Sequence, residues 1–206
     1  MTSFDEILEF WFVDTPVTVK QVDRLRSRWF GVDAKFDATV TKRFSEVLPQ
    51  AQSGDLDEWC ASARGRLALI LILDQFSRSI HRGSSSAFAG DEKALKLCRE
   101  GIAEGADRAL PSVERAFFYL PLQHAEELSA QLAAVRLYDG LLADATEEFT
   151  SVLEQFTEEA RAHREVINRF GRFPHRNELL RRELAPDEAQ FLRGKGAKFG
   201  RAERPA

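Results

Sequence analysis

The run Leu67-Ala-Leu-Ile-Leu-Ile-Leu73 limits what this chain can fold into more than any other segment. Its consecutive apolar residues leave the element no polar face, so it has to be enclosed on all sides. It could be read as a buried core strand, but two observations favour a helix. Leucine and alanine outnumber the β-branched residues, and the pattern continues through Ile72, Leu73, Phe76 and Ile80 at helical spacing. A helix over Arg66–Ile80 predicts a central rod with other elements wrapped around it. The run falls far short of the roughly 20 apolar residues that a membrane span needs.

Helical spacing governs the rest of the chain as well. Ser3-x-x-Glu6 reads as a capping box ahead of Phe4, Ile7, Leu8, Trp11 and Phe12 on one face. Pro16 marks a loop. A second helix is predicted over Lys20–Phe30, stopped by Gly31. Asp33 caps a third that carries Phe36, Val40, Phe44 and Val47, with Pro49 and Gly54 near its end. Phe88–Glu100 is amphipathic. Leu110-Pro111 opens a helix bearing Val113, Phe117, Leu120, His124 and Leu128 on one stripe, with Pro121 inside it. Ser129–Leu142 and Phe149–Phe170 follow, the latter ended by Gly171 and Pro174. A short helix from Glu178 and another over Pro186–Leu192 complete a set of about nine. Convincing strand alternation is absent. The expected fold class is all-α, with antiparallel helical pairs joined by short loops. It forms a single domain over residues 1–193, followed by a Gly/Lys/Arg-rich tail over 194–206 that is expected to fray.

Composition removes several classes of function. With 44 % hydrophobic and 30 % charged residues the chain is not a disordered one. A net charge of −4 gives no general attraction to nucleic acid or to anionic membrane. Cys60 and Cys98 have no Cys-x-x-Cys spacing and read as two packed thiols. Met1-Thr2-Ser3-Phe4-Asp5-Glu6 lacks the basic start of a signal peptide, so the cytoplasm is the expected compartment. There is no His-Glu-x-x-His, no His-Asp dipeptide, no Gly-x-Ser-x-Gly, no phosphate-binding Walker loop and no dinucleotide glycine fingerprint. Neither a metal nor another cofactor is expected.

Three places in the sequence can carry chemistry. Asp74, Arg78 and Arg82 recur every four residues along an otherwise apolar helix, which fits either a solvated end or a partly buried pair at the mouth of a pocket. His124 and His163 each lie on an inward apolar stripe. Such a histidine is commonly a satisfied core residue, but a carboxylate neighbour such as Glu126 can tune it for acid–base work. The third is Asn168-Arg-Phe-Gly-Arg-Phe-Pro-His-Arg-Asn177. Between Arg161 and Arg182 there are seven arginines against two glutamates. A helix C-terminus attracts one or two cations, not seven, whereas rigid loops bearing Arg169, Arg172, His175, Arg176 and Asn177 suit anion recognition.

Phe10-Trp-Phe12, Arg28-Trp-Phe30, Leu73-Asp-Gln-Phe-Ser-Arg-Ser-Ile-His-Arg-Gly83, Phe118-Tyr-Leu-Pro-Leu-Gln-His-Ala-Glu126 and the Asn168–Asn177 segment together resemble the bacterial family called domain of unknown function 924. The resemblance runs from near the N-terminus to about Leu192. It implies a tetratricopeptide-like α-α superhelix and brings no established activity. Asp74, Gln75, Arg78, Arg82, His124, Glu126, His163, Arg169 and Arg172 to Asn177 match its pattern. Ser77, Ser79, His81 and Ala125 stand where the family usually has proline, asparagine, phenylalanine and serine. The reading that follows is an inward polar pocket binding a small anionic ligand, a phosphorylated or carboxylate metabolite or an acidic peptide end. Asp74, Arg78, Arg82, His124, His163, Arg169, Arg172, His175, Arg176 and Asn177 would line it. The alternatives are an enzyme on such a substrate, with His124, His163 or Glu126 catalytic, and a scaffold for a protein partner.

Overall fold

The computed structural model describes residues 2–13, 17–31 and 33–194, and their regular elements are all helical, with no strand. The Pro16 loop and nearly all of the expected tail lie outside the described residues. Helix α1 (Phe4–Phe12) begins at Ser3, whose Oγ accepts from the Glu6 backbone N–H at 3.2 Å. Helix α2 (Val19–Phe30) follows, and Trp29 Nε1 donates to the Trp11 carbonyl at 3.2 Å, tying the two together. Asp33 caps α3 (Ala34–Phe44), and α4 (Val47–Ser53) ends at Gly54, whose φ of +101° permits the reversal.

The apolar run behaves as its composition requires. Helix α5 (Ala63–Ile70), a π-helical segment (Leu71–Phe76) and α6 (Ser77–Ile80) form one continuous rod. All of Leu67–Leu73 is buried. Helices α1 and α8 (Ser112–Phe118) pack on α5, α3 packs on α6, and α7 (Asp91–Glu104) lies along α5 and the π segment. Aromatic rings fill the space between rod and wrap. Phe76 meets Phe10, Trp11 and Phe44, and Phe117 meets Trp11, Phe12, Trp29 and Phe156.

Four expected boundaries move. The third helix stops at Phe44, and Val47, expected on its stripe, opens α4 after the turn at Ser45 and Glu46. The amphipathic stretch from Phe88 starts its α-helix at Asp91, because Ser85–Phe88 is a 3-10 turn and Gly90 is the cap. The stripe from Val113 to Leu128 is not one helix. Helix α8 closes at Tyr119, α9 (Leu120–His124) restarts with Pro121 in its first turn, and Ala125 turns extended (ψ 137°). Proline therefore opens a helix there, where its missing N–H costs nothing. The helix expected from Glu178 is instead a run of turns after the short 3-10 turn Pro174–Arg176. Helices α10 (Leu128–Ala143) and α11 (Glu147–Phe170) pack along each other across a three-residue link, which makes them antiparallel. Helix α12 (Pro186–Arg193) closes a small second core of Val166, Ile167 and Phe173 against Phe170 and Phe191. No helix among the described residues is long and apolar enough to cross a membrane.

Candidate functional site

Asp74 lies in the π-helical part of the rod, where i→i+5 hydrogen bonds widen the turn. Its side chain is 1 % exposed, a position at which an unpaired carboxylate would cost several kcal/mol. Three neighbours satisfy it. Arg78 Nη1 lies 3.1 Å from Oδ1, the Gln75 amide donates to Oδ2, and His124 Nδ1 lies 2.7 Å from Oδ1. Burial pushes the Asp74 carboxyl up, but Arg78, the His124 ring and the Gln75 amide outweigh it and hold the group well below the usual carboxylate range. Asp74 is therefore an ionised acceptor. The hydrogen between Asp74 Oδ1 and His124 Nδ1 belongs on the nitrogen, so that whenever the imidazole is neutral its lone pair is on Nε2.

Backbone anchoring fixes the imidazole from the other side. The carbonyls freed where α9 ends do not go begging. Gln131, fully buried in α10, donates from Nε2 to the carbonyls of Gln123 and Ala125, both at 2.7 Å. The His124 carbonyl accepts from Arg176 Nη1 at 3.0 Å. Arg78 does two jobs, since it also grips Asp91 with both terminal nitrogens at 2.9 and 3.0 Å.

A cleft of about 310 Å³ opens beside this pair, with Asp74 and His124 on its wall. Helix α7 contributes Asp91, Glu92 and Leu95, the end of α9 contributes Pro121, Ala125, Glu126 and Glu127, and Phe88, Arg176 and Leu180 complete it. The His124 side chain is 13 % exposed, so it is reachable without being solvated. The arrangement is that of an orienting carboxylate, an imidazole and a small space beside them. It can take a proton from, and return one to, a molecule held there.

The structure brings Asp74, His124, Glu126 and Arg176 to this cleft, sets His163 outside its lining with its ring centroid 6.1 Å from that of His124, and places the other sequence candidates elsewhere. Arg78 sits behind the wall, between Asp74 and Asp91. Arg82 turns to α3 and pairs with Asp37, its Nη2 at 2.8 Å from Oδ1. His163 packs against the Phe173 ring, centroids 5.4 Å apart, with Nδ1 2.7 Å from the Glu159 carbonyl. Arg169 lies on a separate groove between α11 and α12, over the Phe170 ring. His175 rests on Phe173.

Arg172 and Asn177 belong to a latch. Glu188 accepts from Arg172 Nε and Nη2 at 2.7 and 2.8 Å, from Asn177 at 3.1 Å and from the Ala185 N–H at 2.8 Å. The Arg172 hydrogen bonds bring its carboxyl down to about 2. Glu126 accepts from Arg182 at 2.6 and 2.9 Å and from the Phe173 N–H at 2.7 Å, and these bonds overcome its burial and lower it too. The local excess of arginine is thus met by carboxylates outside that window, Glu126, Asp139, Asp91 and Glu188. Sequence reasoning missed Phe88, Asp91, Glu92 and Gln131, and had Gln75 only as a match to the family pattern. The Gly90-Asp91-Glu92 helix start was a readable signal for the acidic pair, while nothing in the sequence aims Gln131 at a chain break in another helix. No group of three or more His, Cys, Asp or Glu among the described residues is placed to hold a metal ion.

Residues 7–196 match the family described as bacterial protein of unknown function (DUF924). A solved structure, that of the protein of unknown function ATU0120 from Agrobacterium tumefaciens, is similar at 36 % identity and a TM-score of 0.77. The similarity covers 92 % of this chain and 96 % of that one. No curated protein matches.

Proposed function

We propose that this chain, which belongs to the bacterial family of unknown function DUF924, uses its cleft as a small-molecule site worked by acid–base chemistry at His124. The observation that carries this reading is the 2.7 Å contact between His124 Nδ1 and a buried, ionised Asp74 on the wall of a cavity. Structural histidines are satisfied at whatever geometry packing allows. Here a charged partner, itself held by Arg78 and Gln75, fixes the tautomer and offers the other nitrogen to the site. When Nε2 takes a proton, Asp74 stabilises the imidazolium. No serine, threonine or cysteine lines the cleft among the described residues, so the proton comes from the bound molecule or from water rather than from a protein nucleophile.

One observation bears on the anionic ligand expected from the arginine count, namely Arg176 among the lining residues of the cleft. Against it stand Arg78, Arg82 and Arg172, each gripped by a carboxylate. The acid–base reading is tested by incubating the protein with pooled metabolites and following their consumption by NMR. A component consumed by the wild type should turn over about 10²–10⁴-fold more slowly with His124→Ala, while still binding. A component turned over equally by wild type and variant would remove His124 from the chemistry.

A further inference from the structure

The groups that line the cleft and the groups that neutralise them lie on different sides of its wall. Asp74, Asp91, Glu92, Glu126 and Glu127 all contribute to the lining. Their main cationic partners, Arg78, Arg182 and Arg99, do not; each reaches its carboxylate from behind. Among the described residues Arg176 is the one arginine in the lining, and its guanidinium is already held by the His124 carbonyl at 3.0 Å and by Asp91 at 3.7 Å. The acceptors are not used up either. Glu92 is exposed and makes no hydrogen bond or ion pair with the described residues. Arg99 takes Glu127 through Oε2 at 2.6 Å, and Oε1 is left over. Against these four arginines stand five carboxylates, one more than the guanidinium groups that reach them.

We propose that the cleft takes a small organic cation, an amine or a guanidinium, whose charge is met at the mouth by Glu92 and Glu127 within reach of the Asp74–His124 pair. The inference rests on the reading of this cavity as a ligand site and adds the charge of what enters it. An anion brought to the same place would face the unpaired Glu92 carboxylate and the free Oε1 of Glu127 at the mouth, where water still screens part of the field. A cation finds acceptors already arranged and displaces no existing ion pair. A cavity of about 310 Å³ suits a molecule of a few carbon atoms with one charged end.

The test is an NMR titration of the full chain with n-butylamine hydrochloride and, at the same ionic strength, with sodium n-butyrate. Butylamine is expected to shift the His124 and Ala125 amides saturably, and butyrate to leave them in place. Glu92→Gln with Glu127→Gln should weaken butylamine at least tenfold. Both side chains are exposed, so the variant keeps its fold, which the unchanged amides of α11 and α12 would verify. Butyrate binding in place of butylamine, no response to butylamine, or equal butylamine affinity in the double variant would each overturn the inference. The acid–base reading is judged separately by turnover in His124→Ala, and it survives if the cleft proves to prefer an anion.

Discussion

Two buried acids in this protein are treated in opposite ways. Asp74 has an arginine, an imidazole and an amide, and stays ionised. Glu114 of α8 is also fully buried, yet neither carboxylate oxygen has a hydrogen-bond partner, and Arg64 is 4.0 Å away. Burial pushes its carboxyl up, with Arg64 only partly opposing it. A carboxyl raised in the folded state binds its proton more tightly there than in the unfolded chain. The folded protein therefore loses stability as pH rises from the ordinary glutamate range through the raised value, and the loss persists above it. Glu114→Gln removes the charge at constant shape. It is expected to raise neutral-pH stability, because the penalty of holding a buried charge is removed while the buried polar group stays, and to flatten that part of the pH profile in thermal melts. A variant less stable than the wild type at pH 7 would show that the ionised Glu114 is compensated. The contrast explains what was legible at this scale. Asp74 stood out because an aspartate on an apolar rod demands partners, and Arg78 was readable as one from the i,i+4 spacing. His124 and Asp91 come from other helices, and no spacing rule connects them to Asp74.

At the scale of elements, the rod is what the sequence showed best and the π segment within it is what the sequence concealed. Apolar content on every side told where the element lies, since only enclosure satisfies it. A widened turn leaves no compositional mark. The helix carrying His124 was misread for a related reason. Its apolar stripe continues across Tyr119 and Ala125, while the backbone breaks at both, so periodicity alone joined what Pro121 divides. The approach of α7 to the rod fixes the site as firmly as any side chain. A Cβ at Gly90 would lie 2.5 Å from the Leu73 carbonyl oxygen, backbone that cannot give way cheaply. Gly90→Ala is expected to cost about 1–3 kcal/mol of stability through overpacking. It should also move Asp91 off Arg78, seen as larger amide shifts at Arg78 and His124 than at α10. An alanine tolerated without loss would mean that α7 is not held against the π segment.

For the molecule as a whole, the fold class was legible and the charge pattern was not, because the two are written over different distances. Helical periodicity is local and survives in every segment. The seven arginines between Arg161 and Arg182 looked unbalanced because their acids lie elsewhere in the chain, as Glu126 does for Arg182 and Glu188 for Arg172. Most of the C-terminal arginine cluster therefore fastens the chain, and the site lies where the rod, α7 and α9 meet. The two thiols report on how cooperatively this assembly opens. Cys98 is fully buried in α7 and its thiol is pushed well up by burial, while Cys60 is half-buried and raised less. A thiol reagent should therefore modify Cys60 first and reach Cys98 only at the rate of global unfolding. Equal rates in native buffer would show that α7 detaches locally. The central claim, an imidazole held by Asp74 with its lone pair offered to the cleft, is tested most directly by a long-range proton–nitrogen NMR spectrum of the histidine rings. The account predicts that neutral His124 carries its hydrogen on Nδ1 in the wild type and loses that preference in Asp74→Asn. A wild-type ring protonated on Nε2 alone would contradict it.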